Sequence, residues 1–183
     1  MTSEERVVLL DEEHRPAGTM AKADVHGADT PLHLAFSVYV FDRAGRFLVT
    51  RRALSKRTWA GVWSNTCCGH PAPGEPVESA ARRRLAEELS LPVHTLEVAL
   101  PDFSYRAVSP EGLVEHEVCP VLVATADEDP RPDPDEVVEW RWVDWSAFRA
   151  TATSTPWLLS PWSVLQTAQL PADLDQSPAV RGS

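Results

Sequence analysis

Leu32, Leu34, Phe36, Val38 and Val40 alternate with His33, Ala35, Ser37, Tyr39 and Phe41, a period of two that predicts one strand over Leu32–Phe41. Its first face is apolar throughout, while the second carries a histidine, a serine and a tyrosine. Asp42-Arg43-Ala44-Gly45 reads as a hairpin turn that returns the chain through Phe47–Thr50 to Arg51-Arg52. Upstream, Val7-Val8-Leu9-Leu10 is a short strand, followed by a charged turn over Asp11–Gly18. The pattern becomes helical over Pro76–Leu89, and Leu91-Pro92 ends that helix, because the residue before a proline avoids helical backbone. Further strands are expected at Leu96–Leu100 and Phe103–Val108. The turn at Pro110-Glu111-Gly112 then leads into Leu113–Thr125, the longest strand candidate. Asp127–Glu136 is an acidic, proline-rich loop expected to be exposed, and Val137–Val143 is the last strand. Trp145–Arg149 starts a helix, and Pro156 and Pro161 each stand at a helix start, the second opening Trp162–Ala168. Strands interleaved with one central helix and several late ones predict an α/β (α+β) sandwich around a mixed sheet. One domain is expected over residues 1–170, with a polar, flexible tail over residues 171–183.

With 183 residues, 43% of them hydrophobic, the chain can bury one substantial core. The formal net charge of -10 argues against nucleic acid or an anionic membrane surface as a partner. An anionic ligand would have to be met by local arginines and lysines against the overall field. No apolar run is long enough to span a bilayer, and Met1–Leu10 carries no signal-peptide pattern. The three cysteines, an odd number, then point to reduced thiols and a cytoplasmic location.

The chemistry-bearing residues lie at four places. Alternation along Leu113–Thr125 sets Glu115 and Glu117 on one face with Cys119, Val121 and Val123. Carboxylates buried there unpaired would be costly; a metal or a proton would relieve the cost, and so would a wet rim, and spacing leaves these open. His26 and His33 straddle Gly27–Pro31, and His70 follows Cys67-Cys68-Gly69. Converging, these three histidines and two glutamates would give an octahedral Mn²⁺, Mg²⁺ or Zn²⁺ ion five ligands and one open position. His14, His94 and His116 fit ordinary surface or structural roles, and Cys67 and Cys68 are too close together to ligate one ion comfortably. On the central helix, Arg84, Glu87 and Glu88 share one face. Clustered carboxylates ask for a divalent cation, and an arginine fork suits phosphate oxygens. The plain alternative is a solvated helix with helpful ion pairs.

Gly69, Glu75 and Arg83-Arg84-Leu85-Ala86-Glu87-Glu88-Leu89-Ser90-Leu91 together resemble the Nudix box, G-x5-E-x7-R-E-U-x-E-E-x-G-U, in which U is bulky and aliphatic. Two positions depart from it: Arg84 stands where the box has a glutamate, and Ser90 where it has a glycine. Five further strings narrow the resemblance: Leu32-His33-Leu34-Ala35-Phe36, Thr50-Arg51-Arg52-Ala53-Leu54-Ser55-Lys56, Cys68-Gly69-His70-Pro71, Val114-Glu115-His116-Glu117-Val118-Cys119-Pro120 and Ser160-Pro161-Trp162. With Tyr105-Arg106-Ala107 they make the chain similar to the type I isopentenyl-diphosphate isomerases, a branch of the Nudix superfamily, from about Val7 to Gln169.

The resemblance implies a Nudix-type mixed sheet sandwiched between helices. It also implies a double-bond shift in isopentenyl diphosphate through a tertiary carbocation-like species. It assigns Cys68 and Glu117 as the acid/base pair; Tyr105 would then either hydrogen-bond Glu117 or simply pack, and Trp162 would either offer its π-face to the cation or fill the core. It assigns His26, His33, His70, Glu115 and Glu117 to one metal, Mn²⁺ or else Zn²⁺ or Mg²⁺, and Glu88 to a Mg²⁺ carried by the diphosphate. Lys22, Arg52, Lys56 and Arg84 match phosphate-binding positions. The expected partner is this small-molecule substrate, and the chain is expected to act as a monomer. Two other readings compete. A Nudix hydrolase would want more helix carboxylates and no Cys68, and a docking module using exposed tryptophans would not need so many cations in one acidic chain.

Overall fold

The computed structural model describes residues 5–181. In chain order the strands of the first half are β1 Arg6–Leu10, β2 Pro16–Ala21, β3 His33–Leu34, β4 Phe36–Phe41, β5 Arg46–Arg52, β6 Trp63–Ser64 and β7 Cys67–Gly69, with the short helix α1 Lys22–Val25 after β2. Helix α2 Val77–Leu89 separates these from β8 Leu96–Leu100, β9 Ser104–Val108, β10 Val114–Val118, β11 Val121–Thr125 and β12 Val137–Asp144. The chain then runs through α3 Trp145–Ser154, α4 Pro161–Gln169 and α5 Pro178–Arg181.

The strands form two mixed sheets, ordered β2-β1-β3-β10-β9 and β12-β5-β4-β11-β8, with β6 on β5 and β7 on β4. The alternation of Leu32–Phe41 survives in the fold. Phe36, Val38 and Val40 enter one core with α2, while Ala35, Tyr39 and Phe41 enter another that includes Trp145, Phe148 and Trp162 from α3 and α4. The second sheet is thus covered by helices on both faces, as in the sandwich the sequence predicts.

Four sequence expectations need correction. Leu32–Phe41 is not one strand but β3 and β4, which belong to different sheets and divide at Ala35. Leu113–Thr125 divides likewise into β10 and β11 at Cys119-Pro120. Pro120 has no N–H to give a ladder, so the chain leaves one sheet there and joins the other, and its carbonyl still accepts from Ser37 N–H at 3.0 Å. The two breaks lie side by side, because β10 runs parallel to β3 and β11 runs parallel to β4. The charged turn is shorter than Asp11–Gly18, since Pro16–Ala21 pairs with β1. Finally, the segment expected to be a loose tail is docked as far as Arg181. Leu174 and Val180 are buried in the aromatic core, and the Trp145 indole N–H donates to the Pro171 carbonyl at 3.0 Å. Among the described residues no helix is long and apolar enough to cross a membrane.

Helix α2 buries Ala80, Ala81, Leu85, Glu88 and Leu89, a helical stripe that brings one carboxylate inward. It lies so close to β7 that a Cβ on Gly69 would stand 2.8 Å from Phe36 Cζ and 3.0 Å from Arg84 Cγ. Glu75 clamps the preceding loop to the helix by accepting from Arg83 Nε and Nη2, each at 2.8 Å, and from Ala72 N–H at 2.8 Å. The helix ends in a Schellman-type turn, with Leu91 N–H on Leu85 O at 3.2 Å, and this places Ser90 at φ 47, ψ 37. Left-handed backbone costs an L-residue about 1–2 kcal/mol, and glycine is free of that cost but loses more entropy on folding. Ser90→Gly is therefore expected to stabilise the chain and raise Tm by about 2–4 °C, read by thermal melting. A lowered Tm would mean that the Ser90 side chain holds the turn.

Candidate functional site

Register builds the centre. Across three neighbouring strands, Tyr105 of β9 pairs with Glu117 of β10, and Glu117 pairs with His33 of β3. The alternation that puts Glu117 in this row also puts Glu115 on the same face. His26 caps α1 and His70 follows β7. The three imidazoles close on one another, with ring centroids 5.1–5.8 Å apart. One donor atom from each of His26, His33, His70 and Glu117 falls within 4.8 Å of the others.

This quartet fits a cation. His33 Nδ1 faces the Pro31 carbonyl at 2.9 Å, which fixes its proton there and leaves Nε2 facing Glu117 Oε1 at 3.4 Å. Two lone pairs facing each other in a buried site require a metal or a proton between them. His26 Nε2, His33 Nε2 and His70 Nδ1 are all buried without a hydrogen-bond partner. Burial, with the neighbouring His70 and His33 charges, pulls His26 down to about 4. Burial also lowers His70, in spite of its 3.1 Å contact with Glu117. For His33, burial is outweighed by Glu117, and the imidazole is raised. Burial would raise Glu117 too, but the neighbouring His33 and His70 imidazoles hold it far below the usual carboxylate range.

Glu115 stands beside this group and is not one of the four donors. Its carboxylate accepts from Thr58 Oγ1 at 2.9 Å and from the Tyr105 hydroxyl at 2.7 Å, and burial with the charge of Glu117 raises it to about 7. The Tyr105 hydroxyl also lies 2.9 Å from Glu117 Oε2, the first of the two roles the sequence leaves open to it.

These residues line one side of a cavity of about 480 Å³. On the other side Cys68 and Trp162 meet at Asn65, whose Oδ1 accepts from the thiol at 3.3 Å and from the indole N–H at 2.9 Å. Burial pushes the Cys68 thiol up to about 12. Cys67, one residue earlier, points the other way into the α2 core. Trp162 is buried, packs edge-on against Trp59 at 5.3 Å, and has the Arg52 guanidinium 5.3 Å from its ring centre.

The remaining wall is ionic. Arg84 donates to Glu88 Oε1 at 2.9 Å and to Glu87 at 3.0 Å, the cluster expected from helical spacing, and also reaches Glu136 at 3.3 Å. Lys56 pairs with Glu136, and Lys22 pairs with Glu5 at 2.6 Å. Arg52 rests on the Thr58 carbonyl at 3.1 Å. Glu88 is buried, and burial raises it even against the adjacent Arg84 charge. Every residue given a catalytic, metal or phosphate role from the sequence therefore lines the cavity or, like His33, adjoins it.

Sequence reasoning missed Glu136, Thr58, Asn65 and the pair Ser37 and Gln166. The Ser37 hydroxyl accepts from Gln166 Nε2 at 2.9 Å and stands 3.4 Å from Cys68 Sγ. Ser64-Asn65-Thr66 is a wholly buried polar run, and a polar run placed directly before the Cys-Gly-His string was the available signal. Thr58 offered none, being one threonine in a charged turn.

The NUDIX domain pattern matches residues 31–162. The isopentenyl-diphosphate Delta-isomerase of Frankia alni is 63% identical over 163 residues, which is 89% of this chain and 84% of that protein. The Leifsonia xyli protein of the same name is 54% identical, with 96% of each chain covered. Among solved structures, a Deinococcus radiodurans protein superimposes with a TM-score of 0.72 at 17% identity, covering 91% of this chain and 99% of its own. A MutT protein of Methanosarcina mazei gives 0.63 at 18% identity, covering 80% of this chain and 96% of its own. These two likenesses speak for the fold.

Proposed function

The chain belongs to the NUDIX domain family and, within it, to the isopentenyl-diphosphate Delta-isomerases, and from that premise we infer that it converts isopentenyl diphosphate to dimethylallyl diphosphate. The reaction adds one proton at the terminal methylene, passes through a tertiary cation, and removes one proton from the carbon nearer the diphosphate. The C–O–P linkage is never broken. Such a reaction needs two proton-handling groups on opposite sides of a five-carbon unit, in a site that keeps water away from the cation.

The observation that supports this reading is that Cys68, Glu117, Tyr105 and Trp162 line the same cavity as the cations Lys22, Arg52, Lys56 and Arg84. We assign Cys68 and Glu117 as the acid and base. Asn65 aims the thiol, and the Tyr105 hydroxyl fixes the carboxylate. Trp162 presents its ring to the cationic carbon, an interaction worth about 2 kcal/mol or more when desolvated. Its indole N–H is held by Asn65 and Ser64, so the ring cannot turn away.

His26, His33, His70 and Glu117 would hold a divalent ion, Mn²⁺ or else Zn²⁺ or Mg²⁺, with Glu115 as the fifth ligand. Such an ion makes carboxyl protons easier to release and neutralises the buried charge. Glu88 would take a Mg²⁺ that arrives with the diphosphate, and Lys22, Arg52, Lys56 and Arg84 would bind the phosphate oxygens. Three of these four cations already hold carboxylates, so the diphosphate must exchange with Glu5, Glu87, Glu88 and Glu136. The three cysteines are free thiols, which fits the cytoplasm, and we take the chain to act as a monomer.

Isopentenyl diphosphate incubated with the protein, Mg²⁺ and Mn²⁺ in D₂O should become the allylic isomer carrying solvent deuterium, with both phosphorus atoms still in one diphosphate ester by phosphorus NMR. Release of inorganic phosphate or of a monophosphate ester without isomerisation would instead mean a NUDIX hydrolase.

A further inference from the structure

We propose that Arg57 is a further diphosphate-binding residue, an exposed arginine lining the same cavity as Lys22 and Lys56. The inference rests on reading the cavity as a diphosphate site, and it adds a group that the sequence motifs do not mark.

Five cations line the cavity. Lys22, Lys56 and Arg84 each hold a carboxylate, so an entering phosphate must displace one negative partner to gain another. Each exchange returns only the difference between two ion pairs. Arg52 and Arg57 differ: among the described residues neither forms an ion pair, and both are propped on main-chain carbonyls. Arg52 uses Thr58 O, and Arg57 Nη1 donates to Ala23 O at 2.9 Å. A guanidinium has five N–H donors, and a single carbonyl contact leaves most of them available. These two arginines therefore keep their full charge for an anion in a chain of net charge -10.

Their placement is joint. Arg57 precedes the residue whose carbonyl props Arg52, so both forks are fixed by one turn. Its own prop, Ala23, follows Lys22. Holding that carbonyl ties the exposed Arg57 side chain, which lines the cavity, to α1. A planar fork held this way suits two oxygens of a terminal phosphate. Lys22, by contrast, offers only a point donor.

Arg57→Ala, Arg57→Lys and the unaltered protein should be titrated with inorganic pyrophosphate and Mg²⁺ by calorimetry. Each should also be assayed for isomerisation and analysed for bound metal. Arg57→Ala should weaken pyrophosphate binding about tenfold. It should raise KM for isopentenyl diphosphate by a similar factor, with kcat changed far less and metal content unchanged. Arg57→Lys should recover only part of the loss, since it restores the charge but not the fork, and the difference should shrink with added salt because Arg57 is exposed. Unchanged pyrophosphate affinity in Arg57→Ala would overturn the proposal. So would a loss of bound metal in step with affinity, which would make Arg57 only a strap on α1. If the protein failed to isomerise and yet bound pyrophosphate through Arg57, the anion site would stand and the isomerase reading would fall.

Discussion

Cys68→Ala and Glu117→Gln should each slow isomerisation of isopentenyl diphosphate by at least about 10²- to 10⁴-fold, the range that positioned acid/base groups contribute. Neither proton transfer completes a turnover without the other, so the double variant should be little worse than the poorer single one. Cys68→Ala removes a small side chain that is bonded only to Asn65 and Ser37, and the fold should survive it. Glu117→Gln is the more informative change, because Glu117 faces His33 and His70 as well as Tyr105. If Glu117 acted only as a ligand, the lost activity would track lost metal, and saturating Mn²⁺ would restore it. Turnover still lost when saturating Mn²⁺ has refilled the weakened site is the expected result. A Cys68→Ala protein within about tenfold of the parent rate would remove the thiol from the chemistry.

Removing the divalent ion should be equally severe. About one tightly held ion per chain is expected by elemental analysis before any substrate is added, and chelation should abolish turnover until Mn²⁺ is returned. His70→Ala should weaken the site by more than the roughly 10–100-fold that loss of a supporting hydrogen bond costs metal centres. Glu115→Gln should weaken it less than Glu117→Gln, since Glu115 is held by Thr58 and Tyr105 outside the four converging donors. Acid should strip the ion, because an imidazole must be neutral to ligate. In the metal-free site Glu117 raises His33 against burial, whereas burial lowers both His26 and His70. Occupancy should therefore be lost as pH drops through the His33 transition and be regained above it. Full occupancy in His70→Ala would exclude that ligand.

Wherever a local rule governs the outcome, the sequence alone was enough. Period two assigned Phe36, Val38 and Val40 to one core and Tyr39 and Phe41 to the other, because side-chain alternation is fixed by the backbone whichever strand lies alongside. Helical period set Arg84 against Glu87 and Glu88, because residues three and four apart share a helix face. Periodicity reports which face is buried but carries nothing about what lies next to it. The strand breaks at Ala35 and at Cys119-Pro120, and the change of sheet they produce, depend on long-range pairing. So does the row of His33, Glu117 and Tyr105, whose members are distant in sequence and meet only through the register of three strands. The docked Leu174 and Val180 were invisible for the same reason, two apolar residues having no period of their own. Tertiary structure alone also decided which cations hold carboxylates and which, like Arg52 and Arg57, rest on carbonyls. Charge at a position is written in the sequence, but its partner is chosen by distance in space, and the Coulomb interaction acts through that distance.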